Sequence, residues 1–136
     1  MKTKIRFERD GLKICGHVWG QKDIPQHVVI LSHGFIENSR LIEPYAKMIA
    51  DKGFIAVSFD FCGGGRNSLS DGEYMQMSVR TEQDDLNAVM DFVESKDYVD
   101  KGHLFLLGQS QGGFVSAITA AARPEEVRAM ILVYPA

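Results

Sequence analysis

Ser110 stands in the run Gly108-Gln109-Ser110-Gln111-Gly112, with a glycine two positions away on either side. A serine hydroxyl on a sharp turn between a strand and a helix can act as a nucleophile toward a carbonyl carbon. Such a turn needs those neighbours, because its strained backbone leaves no room for bulky side chains two residues away. Apolar residues 104–107 precede the run and an Ala-rich stretch follows it, which is the strand-then-helix context the motif requires. The helix N-terminus then lies beneath the hydroxyl, where its dipole and free N–H groups favour developing negative charge.

Attack on an ester carbonyl creates an oxyanion that needs two preorganised donors. His33-Gly34-Phe35 follows the first buried apolar run, residues 28–31, which is expected beside the strand leading to Ser110. The backbone N–H groups of Phe35 and Gln111 are the natural donor pair, and Gly34 lets the chain turn to present that of Phe35. A nucleophilic serine also needs a base oriented by an acid, and here the residues fall short. The histidines are His17, His27, His33 and His103, and none follows Ser110. His17 belongs to a hairpin, while His27 and His103 fall at strand entrances, opposite the site. His33 is at the correct end, and its place in the oxyanion turn gives it a positioning role. Asp60 ends a strand near the site and reads as a hydrogen-bonding structural residue. Gly63-Gly64-Gly65 matches neither glycine-rich phosphate-binding pattern and reads as a flexible loop bordering the pocket.

Around these residues strand and helix alternate. Ile5 and Phe7, the pair Asp10-Gly11, then Leu12, Ile14 and Val18 spell a β-hairpin. Residues 28–31 and 104–107 are apolar runs of the kind buried on both faces of a sheet, 54–59 is a further buried strand closed by Asp60, and 130–133 is a fourth strand. Between them lies a first helix with Leu41, Ile42, Tyr45, Met48 and Ile49 on one stripe and Gly53 as its stop. A second helix begins near Ser78 and carries Leu86, Val89, Met90 and Val93 at helical spacing. Glu82, Asp84 and Asp85 in its first turns suit the positive end of its dipole. The expected fold is α/β: a mostly parallel sheet with helices on both faces and an N-terminal antiparallel hairpin, in a single domain over residues 1–136.

Charge and composition exclude other classes. A net charge of −3 offers no basic field for nucleic acid. Two cysteines, Cys15 and Cys62, have no CxxC spacing, so neither a zinc site nor a disulfide framework is expected. No apolar run reaches membrane-spanning length, and the residues after Met1 lack a signal-peptide core. The expectation is a cytoplasmic protein with no membrane or nucleic-acid partner.

At this point the residues resemble the α/β-hydrolase superfamily across essentially the whole chain. Within it they are similar to bacterial intracellular acyl esterases, including cinnamoyl and feruloyl esterases. The matching stretches are Leu31-Ser32-His33-Gly34-Phe35, Ser58-Phe59-Asp60-Phe61, Ser70-Asp71-Gly72, the helix around Glu82-Asp84-Asp85-Leu86, and Gly108 to Gly113. The resemblance implies Ser110 as nucleophile and the N–H groups of Phe35 and Gln111 as oxyanion hole, with no metal or organic cofactor. Gln109 departs from the histidine that many relatives carry there. Relatives place the triad acid and histidine beyond later strands, so the resemblance implies a domain incomplete at its C-terminus. A parallel edge left open there invites an oligomer or pairing with another chain. The substrate implied is a small ester, the alternatives being a peptide or amide, or a non-catalytic hydrolase-like fragment.

Overall fold

Asp10 and Gly11 both take positive φ, 49° and 82°, the backbone that matches a tight turn to the twist of two antiparallel strands. The computed structural model describes residues 1–136 and opens on this hairpin, β1 (Lys2–Arg9) and β2 (Leu12–Trp19), in register from Arg9 opposite Leu12 to Lys2 opposite Trp19. There follow β3 (Gln26–Ser32), α1 (Glu43–Asp51), β4 (Ile55–Phe59), α2 (Val79–Glu94), β5 (Val99–Gln109), α3 (Gln111–Ala122) and β6 (Val127–Val133). Single-turn 3₁₀ segments occupy Ser39–Ile42 and Tyr74–Gln76.

The six strands form one sheet in the order β1-β2-β4-β3-β5-β6. β2 joins β4 antiparallel, and every later pairing is parallel. The α/β expectation holds. Alternation along the central strands divides the core. Val28, Ile30, Ile55, Val57, Leu104 and Leu106 pack with Leu86, Val89, Met90 and Val93 of α2 and Val115 of α3. Val29, Leu31, Ala56 and Leu107 pack on the opposite face with Ile42 and Ala46 at α1. Burying each large side chain contributes about 1.5–3 kcal/mol, against a few tenths per residue from helix propensity, so packing holds the helices.

Three details differ from the pattern in the sequence. The first helical stripe is rotated: Ile42 and Ala46 are buried, whereas Leu41 and Met48 are more than half exposed. The 3₁₀ turn over Ser39–Ile42 advances the chain by three residues per turn rather than 3.6, so Leu41 leaves the phase of α1. Strand β5 begins at Val99 instead of near 104, because its polar entry Asp100-Lys101-Gly102 hides the pairing of Val99 with Gln26. Strand β6 has the expected apolar run but pairs only with β5, leaving Met130, Ile131 and Leu132 exposed. The helix signals hold. Ser78 caps α2 in a reciprocal pair with Thr81, and Gly53, at φ 94°, ends the first helix. No helix is long and apolar enough to cross a membrane.

Candidate active site

One residue makes the turn between β5 and α3. Ser110 has φ 55° and ψ −125°, a conformation that costs a non-glycine residue about 1–3 kcal/mol. Its N–H donates to Val133 O at 2.9 Å, and its carbonyl accepts from Gly113 N at 2.8 Å and Phe114 N at 3.2 Å. These bonds pin the turn between β6 and the first turn of α3. The hydroxyl is spent on no helix cap, and the residue is half-buried.

Close approach accounts for the flanking glycines. A Cβ on Gly108 would lie 2.6 Å from Gly113 Cα. One on Gly112 would lie 2.7 Å from the Ser32 carbonyl carbon and overlap the carbonyl oxygens of Ser32 and His33. Gly108 lets the helix fold back on its own strand, and Gly112 seats the helix on the end of β3. That second contact brings the Ser110 turn against the chain that leads into His33-Gly34-Phe35.

In this neighbouring turn the left-handed residue is Ile36, at φ 52°, and not Gly34, to which the sequence reading assigned the bend. A β-branched residue at positive φ is a genuine outlier. It is held by a parallel bridge from Ile36 to Gly65 and by Glu37, whose Oε2 accepts from Gly34 N at 3.1 Å. The N–H groups of Phe35 and Gln111 have no acceptor among the turn, loop and cap hydrogen bonds, which leaves both available to a ligand.

His33 is 1 % exposed. Its Nδ1 lies 2.8 Å from Gly34 O, and its Nε2 accepts from Phe61 N at 3.1 Å. A carbonyl only accepts and a backbone N–H only donates, so the ring is neutral with its proton on Nδ1. Burial pushes its pKa below the ordinary value for imidazole. Both nitrogens being occupied, His33 has no lone pair for a serine proton.

Asp60 is likewise a structural hub. Its carboxylate accepts from Ser39 N and Leu69 N, both at 2.8 Å. The glycine loop packs closely on its neighbours. A Cβ on Gly64 would meet Phe61 Cβ at 2.9 Å and His33 Cε1 at 3.2 Å, and one on Gly65 would meet the Ile36 carbonyl carbon at 2.6 Å. Beside it Ile36, Gly65, Arg66 and Tyr74 line an open groove of about 480 Å³, and Tyr74 lies 6.1 Å from the Phe35 ring.

Two acids that the sequence suggested as dipole partners are turned inward instead. Glu82 is 1 % exposed, and its Oε1 accepts from Gln111 Nε2 at 2.8 Å. Burial pushes its pKa up to about 7, with the Gln111 hydrogen bond pulling the other way. Asp85 is fully buried and accepts from Arg9 Nε at 2.6 Å and Cys62 N at 2.8 Å. Burial raises its pKa above the ordinary value against those bonds. Their partners, 29 and 76 residues away in the chain, gave no local signal.

Comparison with known proteins places this arrangement. Residues 23–136 match the family model described as serine aminopeptidase, S33. Human monoglyceride lipase is 31% identical over 131 residues, covering 93% of this chain and 40% of that protein. A monoglyceride lipase homolog of monkeypox virus is 31% identical over 140 residues, covering 99% and 48%. The chain thus spans under half the length of these two relatives. Among solved structures, the α/β hydrolase GrgF from Penicillium sp. sh18 superposes with a TM-score of 0.88 at 26% identity, over 99% of this chain and 46% of that one. Est1E from Butyrivibrio proteoclasticus, solved with ferulic acid bound, superposes at 0.87 and shares the fold at 24% identity, over 96% and 52%. Because the family match takes in everything from the approach to β3 through the Ser110 turn and on to β6, the chain belongs to the serine aminopeptidase S33 family.

Proposed function

We propose that these residues form the nucleophile and oxyanion half of a serine hydrolase that cleaves carboxylic esters. Ser110 attacks the carbonyl carbon, the N–H groups of Phe35 and Gln111 receive the oxyanion, and the alcohol leaves to give an acyl-enzyme that water then hydrolyses. The observation that carries this reading is the strained Ser110 conformation at a strand-to-helix turn whose adjacent N–H is unspent. The base and its orienting acid come from outside the 136 residues, since His33 is committed at both nitrogens. The groove lined by Ile36 and Tyr74, next to Phe35, offers room for a substrate chain. Relatives named monoglyceride lipases favour an acylglycerol-like ester.

The test is Ser110→Ala in the full-length protein. Its circular dichroism stays unchanged, and hydrolysis of a short-chain nitrophenyl ester falls by about 10³-fold or more. Turnover equal to the parent would overturn the assignment. A second reading, cleavage of small peptides, is favoured by the family's description as a serine aminopeptidase. Esters and amides share oxyanion geometry, so an aminoacyl-anilide substrate tested beside the ester separates the two.

A further inference from the structure

The start of α3 is held from outside the helix. We infer that Glu82 is a positioning residue for hydrolysis, fixing Gln111 so that its backbone N–H stays aimed at the oxyanion; this rests on the roles proposed above for Ser110 and Gln111.

The first turn of α3 lacks the features that ordinarily fix a helix start. Ser110 stands at the cap position, but its side chain makes no capping bond, and no acid lies in the first turn. Gly112 and Gly113 follow at once, and glycine is the poorest helix former after proline. Yet this turn must hold a donor still, because an oxyanion donor acts by being aimed before charge develops. The Gln111 side chain tethers it to α2: Nε2 donates to Glu82 Oε1 at 2.8 Å. The residue bearing the N–H is thus tied to a carboxyl that is 1 % exposed and has little room to move.

Stability does not explain an acid at this place. Glu82 lies on the buried stripe of α2 that Leu86, Val89, Met90 and Val93 continue, a phase that apolar residues ordinarily fill. The other acid of the stripe, Asp85, is compensated by Arg9 and by Cys62 N. Glu82 has no cation beside it, and its Oε2 is shielded from water without a partner. Burying a carboxyl on these terms costs stability, and burial pushes its pKa up to about 7. A leucine or methionine would suit the stripe but could accept nothing from Gln111. Accepting that bond, charged or neutral, is what the carboxyl adds. The amide oxygen of a glutamine can do the same.

The test uses the full-length enzyme and a short-chain nitrophenyl ester, with Ser110→Ala as the inactive control. Glu82→Ala lowers kcat by about tenfold or more and leaves KM unchanged, as for an interaction felt only in the transition state. Outright loss of an oxyanion donor costs about 10²–10³-fold. A trifluoromethyl ketone, whose adduct with Ser110 carries the oxyanion, binds more weakly by the same factor. Glu82→Gln restores kcat and inhibitor affinity to those of the parent. Gln111→Ala cuts the same bond from a half-buried position, shows the same losses, and serves should Glu82→Ala fail to fold. The two alanine changes together cost no more than either alone. Parental kcat in either alanine variant, a Glu82→Gln enzyme as impaired as Glu82→Ala, or losses that add in the double variant would overturn the positioning role and leave Ser110 its own. Ser110→Ala as active as the parent would overturn the hydrolytic reading and this inference with it.

Discussion

Replacing Glu82 by glutamine should make the protein more stable as pH rises from 4.5 to about 7, the gain levelling off above that. The buried carboxyl has one oxygen bonded to Gln111 Nε2 and the other, Oε2, shielded from water without a partner. Burial raises its pKa from the ordinary 4.5 to about 7, opposed by the Gln111 hydrogen bond and reinforced by the Asp85 charge. Between those two values the unfolded chain has lost the proton and the folded chain keeps it. The folded state therefore binds more protons, and stability falls as pH rises through that window before levelling off above it. Each pH interval costs about 1.4 kcal/mol, so the full window costs about 3 kcal/mol. Glutamine has the shape of the neutral acid, retains an acceptor for Gln111 and cannot ionise. The stability difference between variant and parent should be near zero at the acid end of the window and reach about 3 kcal/mol in favour of glutamine just above its upper end. Urea unfolding followed by fluorescence of Trp19, the single tryptophan, measures it across the range. Groups that do not interact with Glu82 are common to both proteins and cancel in the difference. Parallel pH profiles for the two proteins would refute the claim that Glu82 ionises at a cost.

Two further outcomes follow from backbone and thiol chemistry. Ser110→Gly should raise stability by about 1 kcal/mol, the relief of positive-φ strain exceeding glycine's extra entropy in the unfolded chain; a urea midpoint at or below that of Ser110→Ala would show the turn to be unstrained. Burial, with Asp85 adding to it, pushes the Cys62 thiol up to about 12, so near pH 8 only about one molecule in ten thousand presents a thiolate there. A disulfide reagent should modify the half-buried Cys15 promptly and Cys62 only as fast as the chain opens, and equal rates for the two would contradict that burial.

What could be read from the sequence is what local pattern encodes. Residues 28–31 and 104–107 announce buried parallel strands because they are apolar without a break, and Gly108 and Gly112 announce the turn because close backbone approach excludes every other residue. Information carried by distant partners stayed hidden. Glu82 and Asp85 look like first-turn acids serving a helix dipole until Gln111 and Arg9 arrive from other elements. His27 and His103 lie 76 residues apart and meet only because the β3–β5 register joins them. The strain in the turn after β3 fell on Ile36, a residue type that carries no turn signal, because a bridge to Gly65 holds it there.

The packing also bears on how such a site can work when its base lies elsewhere. Gly112 rests on the carbonyls of Ser32 and His33, His33 holds Phe61 through Nε2, and the loop beyond Phe61 is pinned to Ile36 through Gly65. Gln111 is anchored from the other side by Glu82. The two N–H donors assigned to the oxyanion are thus borne by segments that brace one another without help from any histidine outside the site. Preorganised donors do not reorganise as charge develops, and this is where most of their contribution to catalysis arises. A general base has the looser requirement of one hydrogen bond to the serine hydroxyl, which a separate segment can supply. On the proposed reading, nucleophile and oxyanion donors form one rigid unit centred on Gly112, and a methyl group there would damage both functions together.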